Sequence, residues 1–196
     1  MITRAKYRIA KLWKPFTWVL HKLKIKPNYI TAFSVLFAVL GAMLINTNVV
    51  YSMIFFAVAF FSDVLDGALA REYRQVTKFG AYFDSCVDRI IDLLFVYSLF
   101  VYVGFTNISI LAAGFMPLIS YFKHRADPII KEEKNFVKHS VFDRAERTLY
   151  LLFSFAIYFV YPDFSRAMFM LFIPLCVAAM FEVFVKVYIR MGKLKK

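Results

Sequence analysis

Six long apolar runs divide the chain, at residues 28–47, 49–71, 79–103, 107–124, 145–161 and 165–189. Each is near the ~20 residues a helix needs to cross ~30 Å of hydrocarbon, with the fifth a little short. The turns at Thr47-Asn48, Phe105-Thr106-Asn107 and Tyr161-Pro162-Asp163 are short and nearly uncharged. Residues 1–27 follow another rule. Ile9, Leu12, Trp13, Phe16, Val19, Leu20 and Leu23 recur at roughly i, i+3, i+4 among the basic residues from Arg4 to Lys26. This pattern predicts an amphipathic helix on a membrane surface, which Pro15 can kink; a plain basic topogenic tail is the alternative. No uncharged segment with a cleavage site follows the basic part, so it does not read as a signal peptide. The expected architecture is an all-α integral membrane protein. An interfacial helix at 1–27 precedes a six-helix transmembrane domain at 28–190, and a basic tail at 191–196 ends it.

Charge orients this architecture. Of the 25 Lys and Arg residues, only Arg166 falls on the side opposite the others, so both termini are expected in the cytoplasm. The net charge of +12 therefore reads as positive-inside topology and attraction to anionic lipid head groups, not as nucleic-acid binding. Mean hydropathy is +0.62, and 24 of the 196 residues are Phe, which points to lipid-facing surface. Cys86 and Cys176 both lie in apolar runs and read as packing residues.

Four carboxylates break the second and third runs: Asp63, Asp66, Asp84 and Asp88. One charge at the centre of a membrane helix costs about 2.5–3.5 kcal/mol on insertion scales, so four demand compensation. Asp63 and Asp66 are i, i+3, and Asp84 and Asp88 are i, i+4, so each pair shares a helical face. Two neighbouring helices can aim all four at a common point. Hard oxygen ligands without a His or Cys pattern suit Mg²⁺, Mn²⁺ or Ca²⁺, and two such ions would balance four carboxylates. Gly67, Ala70 and Gly80 stand one turn from Asp63, Asp66 and Asp84, where missing bulk admits another backbone or a ligand. Arg71 can fork onto a phosphate. Counting from Arg71 at the membrane edge, Asp66 lies ~7.5 Å and Asp63 ~12 Å deep, which puts the site in the cytoplasmic leaflet.

The stretch from Asp63 to Asp88 reads D-x2-D-G-x2-A-R-x8-G-x3-D-x3-D, which resembles the signature of the CDP-alcohol phosphotransferase family. Pro27-Asn28-Tyr29-Ile30-Thr31 is similar to that family's P-N-x-x-T opening, although Asn28 also reads as a plain helix cap. The resemblance implies transfer of a phosphatidyl-type group from a CDP-linked lipid to an alcohol, with CMP leaving. It implies two Mg²⁺ or Mn²⁺ ions held by Asp63, Asp66, Asp84 and Asp88, with Asp88 as general base. It assigns Asn28, Thr31, Asp63, Asp66, Gly67, Ala70, Arg71 and Gly80 to the CDP moiety. A homodimer in a prokaryotic plasma membrane, with its site open to the cytoplasm, is the family's precedent.

The second half of the chain bears on the alcohol. Ser120-Tyr121-Phe122-Lys123-His124-Arg125-Ala126 and Arg144-Ala145-Glu146-Arg147 resemble the S-Y-x-K-x-R-A and R-x-E-R segments of the inositol-phosphate branch. That likeness assigns Lys123, Arg144, Arg147 and Arg190 to the acceptor's phosphate. Positive-inside anchoring, with Asp143 and Glu146 as ion-pair partners, remains the other reading of these cations. Glycerol 3-phosphate, which needs the same cations, is the alternative acceptor. Residues 125–140 are expected as a cytoplasmic loop or short helix, and Glu182 and Lys186 as an i, i+4 pair. His21, His124 and His139 read as solvated or interfacial. A divalent-cation transporter is the rival class, but such sites tend to lie at the midplane of paired repeats. Here the acids are shallow and no repeat is visible.

Overall fold

The structure, a computed structural model, describes residues 13–126 and 142–194. Residues 13–22 form helix α1. There follow α2 (Pro27–Leu44), α3 (Val49–Glu72), α4 (Lys78–Tyr102), α5 (Thr106–Ala126), α6 (Arg144–Tyr158) and α7 (Pro162–Leu194). Among the described residues there is no strand. Each predicted apolar run coincides with one of α2–α7 to within a few residues. Three helices are long and apolar enough to cross a membrane on those grounds: α2, α3 and the Pro162–Ile189 part of α7. α4 is interrupted by Asp84, Asp88, Arg89 and Asp92, and α6 is only 15 residues long. Most of the predicted loop at 125–140 lies outside the described residues.

The helix ends follow local chemistry. Pro27 occupies the first turn of α2, where its missing N–H costs nothing, and Lys26 precedes it as N-cap without a side-chain bond. Asn28 is therefore not the cap that its residue type suggested. Asn48 does cap α3, its side chain accepting from the Tyr51 N–H at 3.1 Å. Gly104, at φ +98°, takes the left-handed turn between α4 and α5 that a residue with a side chain rarely adopts. Pro15 does not interrupt α1, which runs on to residue 22.

The chain divides into two compact units, Met1–Phe95 and Val96–Lys196. In the first, α2 and α3 pack antiparallel. Gly41 lies under the Phe56 ring, so close that a Cβ there would stand 3.0–3.2 Å from three ring atoms. The Ser52 hydroxyl donates to the Gly41 carbonyl at 2.7 Å. Lipid chains are as apolar as Leu, so close backbone approach and hydrogen bonds drive such packing, not burial from water. Phe95 lies edge-on to Phe56 and Phe60, both at 5.2 Å. α1 leans on α3, with the Trp13 ring 4.8 Å from that of Phe61. His21 is exposed, as expected, and one face of its ring stacks flat on Tyr73 at 3.7 Å and 9°.

In the second unit, Phe100 meets Phe169 at 5.1 Å and Phe172 at 5.9 Å. The Ser165 hydroxyl donates to the Ser154 carbonyl, joining α7 to α6 at 2.7 Å. Phe56, Phe95, Phe100, Phe169 and Phe172 are all buried, so the phenylalanines build the core as well as the lipid-facing surface. Glu182 and Lys186 pair at 2.6 Å, as their spacing predicted.

The Gly41–Phe56 contact yields a test of this packing. Phe56 is buried and packs edge-on against Phe95, so Gly41→Ala should cost about 1–3 kcal/mol. A lower thermal midpoint in detergent is the expected reading. Gly114→Ala is the control, because a Cβ there meets nothing within 4 Å.

Candidate active site

The site grows from the turn that joins α3 to α4. α3 ends in a Schellman motif: Arg74 takes the left-handed conformation at φ +55°, and the Gln75 N–H donates back to the Ala70 carbonyl at 2.8 Å. Thr77 then caps α4, its Oγ1 accepting the Gly80 N–H at 2.9 Å. With only residues 73–77 between the helices, the carboxylates flanking the turn are brought side by side. One carboxylate oxygen from each of Asp63, Asp66 and Asp84 lies within 4.8 Å of the others. Asp88 is outside this group; its carboxylate stands 3.9 Å from the Arg89 guanidinium.

α2 completes the centre. The Thr31 hydroxyl donates to Asp66, and both residues are buried. Thr31 to Gly41 and Phe56 to Asp66 are the same ten-residue interval, ~15 Å of helix. The contact of Gly41 with Phe56 therefore sets the register that delivers Thr31 to Asp66.

Beside the carboxylates lies a cavity of about 250 Å³. Asn28, Thr31, Asp66, Gly67, Ala70, Arg71 and Gly80, all predicted site residues, line it together with Asp84. Asp63 is not on its wall. The sequence reading missed Pro27, Gln75, Val76, Thr77 and Ala81, which also line it. Thr77 had a readable signal, a Thr just ahead of an apolar helix. The two glycines differ in what confines them. A Cβ on Gly80 would stand 2.9 Å from Thr77 Oγ1 and 3.1 Å from Asn28 Oδ1, whereas one on Gly67 would meet the flexible end of Arg71 at 3.0 Å.

The three converging carboxylates fit a divalent cation. They offer hard oxygens only, close enough to share one ion, and their charges need such a partner in apolar helices.

The predicted acceptor cations lie in the second unit, each in a different state. Lys123, at the end of α5, forms an ion pair with Asp143. Arg144 opens α6. Arg147 is 1% exposed. Its guanidinium donates to the Phe142 carbonyl at 3.0 Å and faces the Met116 sulfur at 3.2 Å. Glu146 caps the helix, accepting the Asp143 N–H at 2.8 Å. The side chain of Arg190 lies outside the described residues.

A sequence model of the CDP-alcohol phosphatidyltransferase family matches residues 24–185. The chain belongs to this family. Its members are enzymes, and the matched region takes in α2–α6 and most of α7. An uncharacterized protein of Aquifex aeolicus is 31% identical over 156 residues, 76% of this chain and 78% of that protein. The archaetidylinositol phosphate synthase of Pyrococcus horikoshii is 33% identical over 93 residues, 47% of this chain and 50% of that one. That of Methanothermobacter thermautotrophicus is 34% identical over 110 residues, 55% and 54%. The match thus spans about half of each synthase. The crystal structure of the Mycobacterium tuberculosis phosphatidylinositol phosphate synthase with CDP-DAG bound superposes with a TM-score of 0.73 at 23% identity, covering 91% of this chain and 94% of that one. A second crystal structure of that synthase, with manganese and citrate, gives 0.72 at 24%, covering 90% and 88%. At these identities the likeness is one of fold.

The glycine geometry predicts a contrast between two conservative changes in this family site. Gly80→Ala must displace Thr77 or Asn28 in the cavity wall, whereas Gly67→Ala moves only the tip of Arg71. With CDP as the ligand that the resemblance implies for this cavity, Mg²⁺-dependent CDP binding, measured by calorimetry, should weaken about tenfold or more in Gly80→Ala, or ~1.4 kcal/mol. The loss in Gly67→Ala should be clearly smaller.

Proposed function

We propose that the protein transfers a phosphatidyl-type group from a CDP-linked lipid to a small phosphorylated alcohol, releasing CMP, with inositol phosphate as the acceptor. The observation that carries this reading is the convergence of Asp63, Asp66 and Asp84 beside a cavity lined by Asn28, Gly67, Arg71 and Gly80. The position expected for these carboxylates from the sequence, within the cytoplasmic leaflet, suits a lipid whose head group is a nucleoside diphosphate. The two archaetidylinositol phosphate synthases among its relatives and the cations of the Lys123 and Arg144–Arg147 segments support the acceptor.

The chain's own residues divide the work. Asp63, Asp66 and Asp84 would hold the Mg²⁺ or Mn²⁺, two ions on the proposed reading. When bound, such ions offset the charge of the pyrophosphate and of departing CMP. Gly67, Ala70 and Gly80 let the nucleotide lie against the helix backbones, while Arg71 and Asn28 grip it. Lys123, Arg144, Arg147 and Arg190 bind the acceptor's phosphate and so place its hydroxyl. Asp88 takes the hydroxyl proton as the oxygen attacks the lipid-side phosphorus. The bond from that phosphorus to the CMP oxygen breaks, and the lipid phosphate is carried to the alcohol.

The proposed setting is a prokaryotic cell membrane crossed six times by α2–α7, with both termini cytoplasmic and residues 28–190 as one catalytic domain. A homodimer follows the family's precedent.

CMP release in detergent, from CDP-lipid with a panel of alcohols, tests the reading. Inositol phosphate should support turnover that EDTA abolishes and Mg²⁺ or Mn²⁺ restores. Turnover only with glycerol 3-phosphate would replace the acceptor. No release with any alcohol, together with divalent-cation flux in vesicles, would replace the enzyme by a transporter.

Two variants assign roles. Asp88→Asn should keep CDP-lipid binding while turnover falls by about 10²-fold or more, the scale of a lost proton acceptor. Arg147→Ala should raise the acceptor KM sharply and leave the donor KM unchanged; an unmoved acceptor KM would return Arg147 to a topological role.

A further inference from the structure

Helix α1 touches the site at one remove. The α3–α4 turn has two sides. Gln75, Val76 and Thr77 form part of the cavity wall, while Glu72 and Tyr73, just before them, are gripped by α1. The Thr17 hydroxyl stands 2.6 Å from Glu72 Oε2, and the His21 ring lies flat on Tyr73 at 3.7 Å. The anchoring Trp13, Thr17 and His21 sit at i, i+4 and i+8, so a single face of α1 makes all three contacts.

The Thr17 contact is directed. The hydroxyl has one proton and three acceptors within reach: Glu72 at 2.6 Å, Lys14 carbonyl at 3.1 Å and Trp13 carbonyl at 3.2 Å. The short distance to a carboxylate marks where the proton goes. Thr17 is fully buried, although its neighbours Phe16 and Trp18 are 52% and 57% exposed. The turn it braces is one that needs bracing. Arg74 holds a left-handed conformation unfavourable to a residue with a Cβ, and its exit fixes where Gln75 begins the cavity wall.

We infer that α1 is a strut that sets the nucleotide pocket, with Thr17, Glu72, His21 and Tyr73 as positioning residues for the wall formed by residues 75–77. The hydroxyl–carboxylate bond and the ring stack hold the end of α3, and through it the turn, in the conformation that receives the nucleotide. This assignment rests on the proposed CDP-linked donor. Donor affinity thereby depends on α1, although no α1 residue lines the cavity.

The test uses the full chain in detergent micelles. It measures Mg²⁺-dependent CDP binding by calorimetry and the separate KM values for CDP-lipid and inositol phosphate. Thr17→Val keeps the shape and removes the proton; Glu72→Ala removes the acceptor from an exposed position where folding is not at risk. Each should weaken CDP binding and raise the donor KM by about three- to tenfold, the scale of one hydrogen bond, with the acceptor KM unmoved. The double variant should lose no more than either single one, because the two share one bond. Glu72→Gln, which still offers an oxygen, should recover most of the affinity lost in Glu72→Ala. His21→Phe, which still stacks, should do the same relative to His21→Ala. Unchanged CDP affinity in Thr17→Val and Glu72→Ala would overturn the strut alone. So would equal shifts in both KM values, the mark of a general loss of structure. A wild-type chain that binds no CDP would overturn the functional reading and the strut with it.

Discussion

The constraint on which the structure turns is the cost of carboxylates inside apolar helices. Asp63, Asp66 and Asp84 cannot be left apart in such surroundings, and the fold answers by bringing them together. Everything nearby follows from that convergence. The α3–α4 connection is short and capped at both ends, which keeps the acidic faces side by side. α2 packs on α3 through Gly41 and Phe56 in the one register that hands Thr31 to Asp66. The glycines beside the carboxylates keep the approach open to a ligand large enough to need that room.

The same constraint explains the division between rigid and adjustable parts in the first unit. Gly80 is boxed in by Thr77 and Asn28, so the α4 side of the cavity has a fixed wall. Gly67 faces only the end of Arg71, so the α3 side carries a movable cation. On the proposed reading, a site that admits a charged head group and later releases a charged product benefits from one wall that defines shape and one charge that follows the ligand. The helix face of α1, tied to Glu72 and Tyr73, belongs to the fixed part.

Much of this was legible in the chain. Apolar run length located α2–α7 to within a few residues, and the i, i+3 spacing of Asp63 and Asp66 put them on one face. The convergence of two helical faces followed from the cost of leaving either unpartnered. What was not legible shares one cause: periodicity shows which residues lie together on a helix, not what stands opposite. Asp84 and Asp88 share a face by spacing, yet only Asp84 joins the oxygen cluster. Phe56 and Phe95 read like any lipid-facing phenylalanine until the partner helix is known. His21 had no sequence neighbour to mark it, because Tyr73 lies fifty-two positions away. Asn28 looked like a cap, but Lys26 takes that position and leaves its amide for the cavity.

The second unit poses the complementary problem, cations instead of anions, and solves it differently. Arg147 is buried, its guanidinium donating to the Phe142 carbonyl and facing the Met116 sulfur. Lys123 is nearer the surface and already paired with Asp143. On the proposed reading, a phosphorylated acceptor that takes Lys123 must replace a carboxylate with a phosphate, exchanging one anion for a more highly charged one. A neutral alcohol has no charge to offer in that exchange and would leave the Lys123–Asp143 pair intact. Selection for a phosphorylated alcohol can therefore reside in the pairing of Lys123 as well as in the number of cations. The close relation between the Asp143 N-cap and the start of α6 ties that exchange to the helix carrying Arg144 and Arg147.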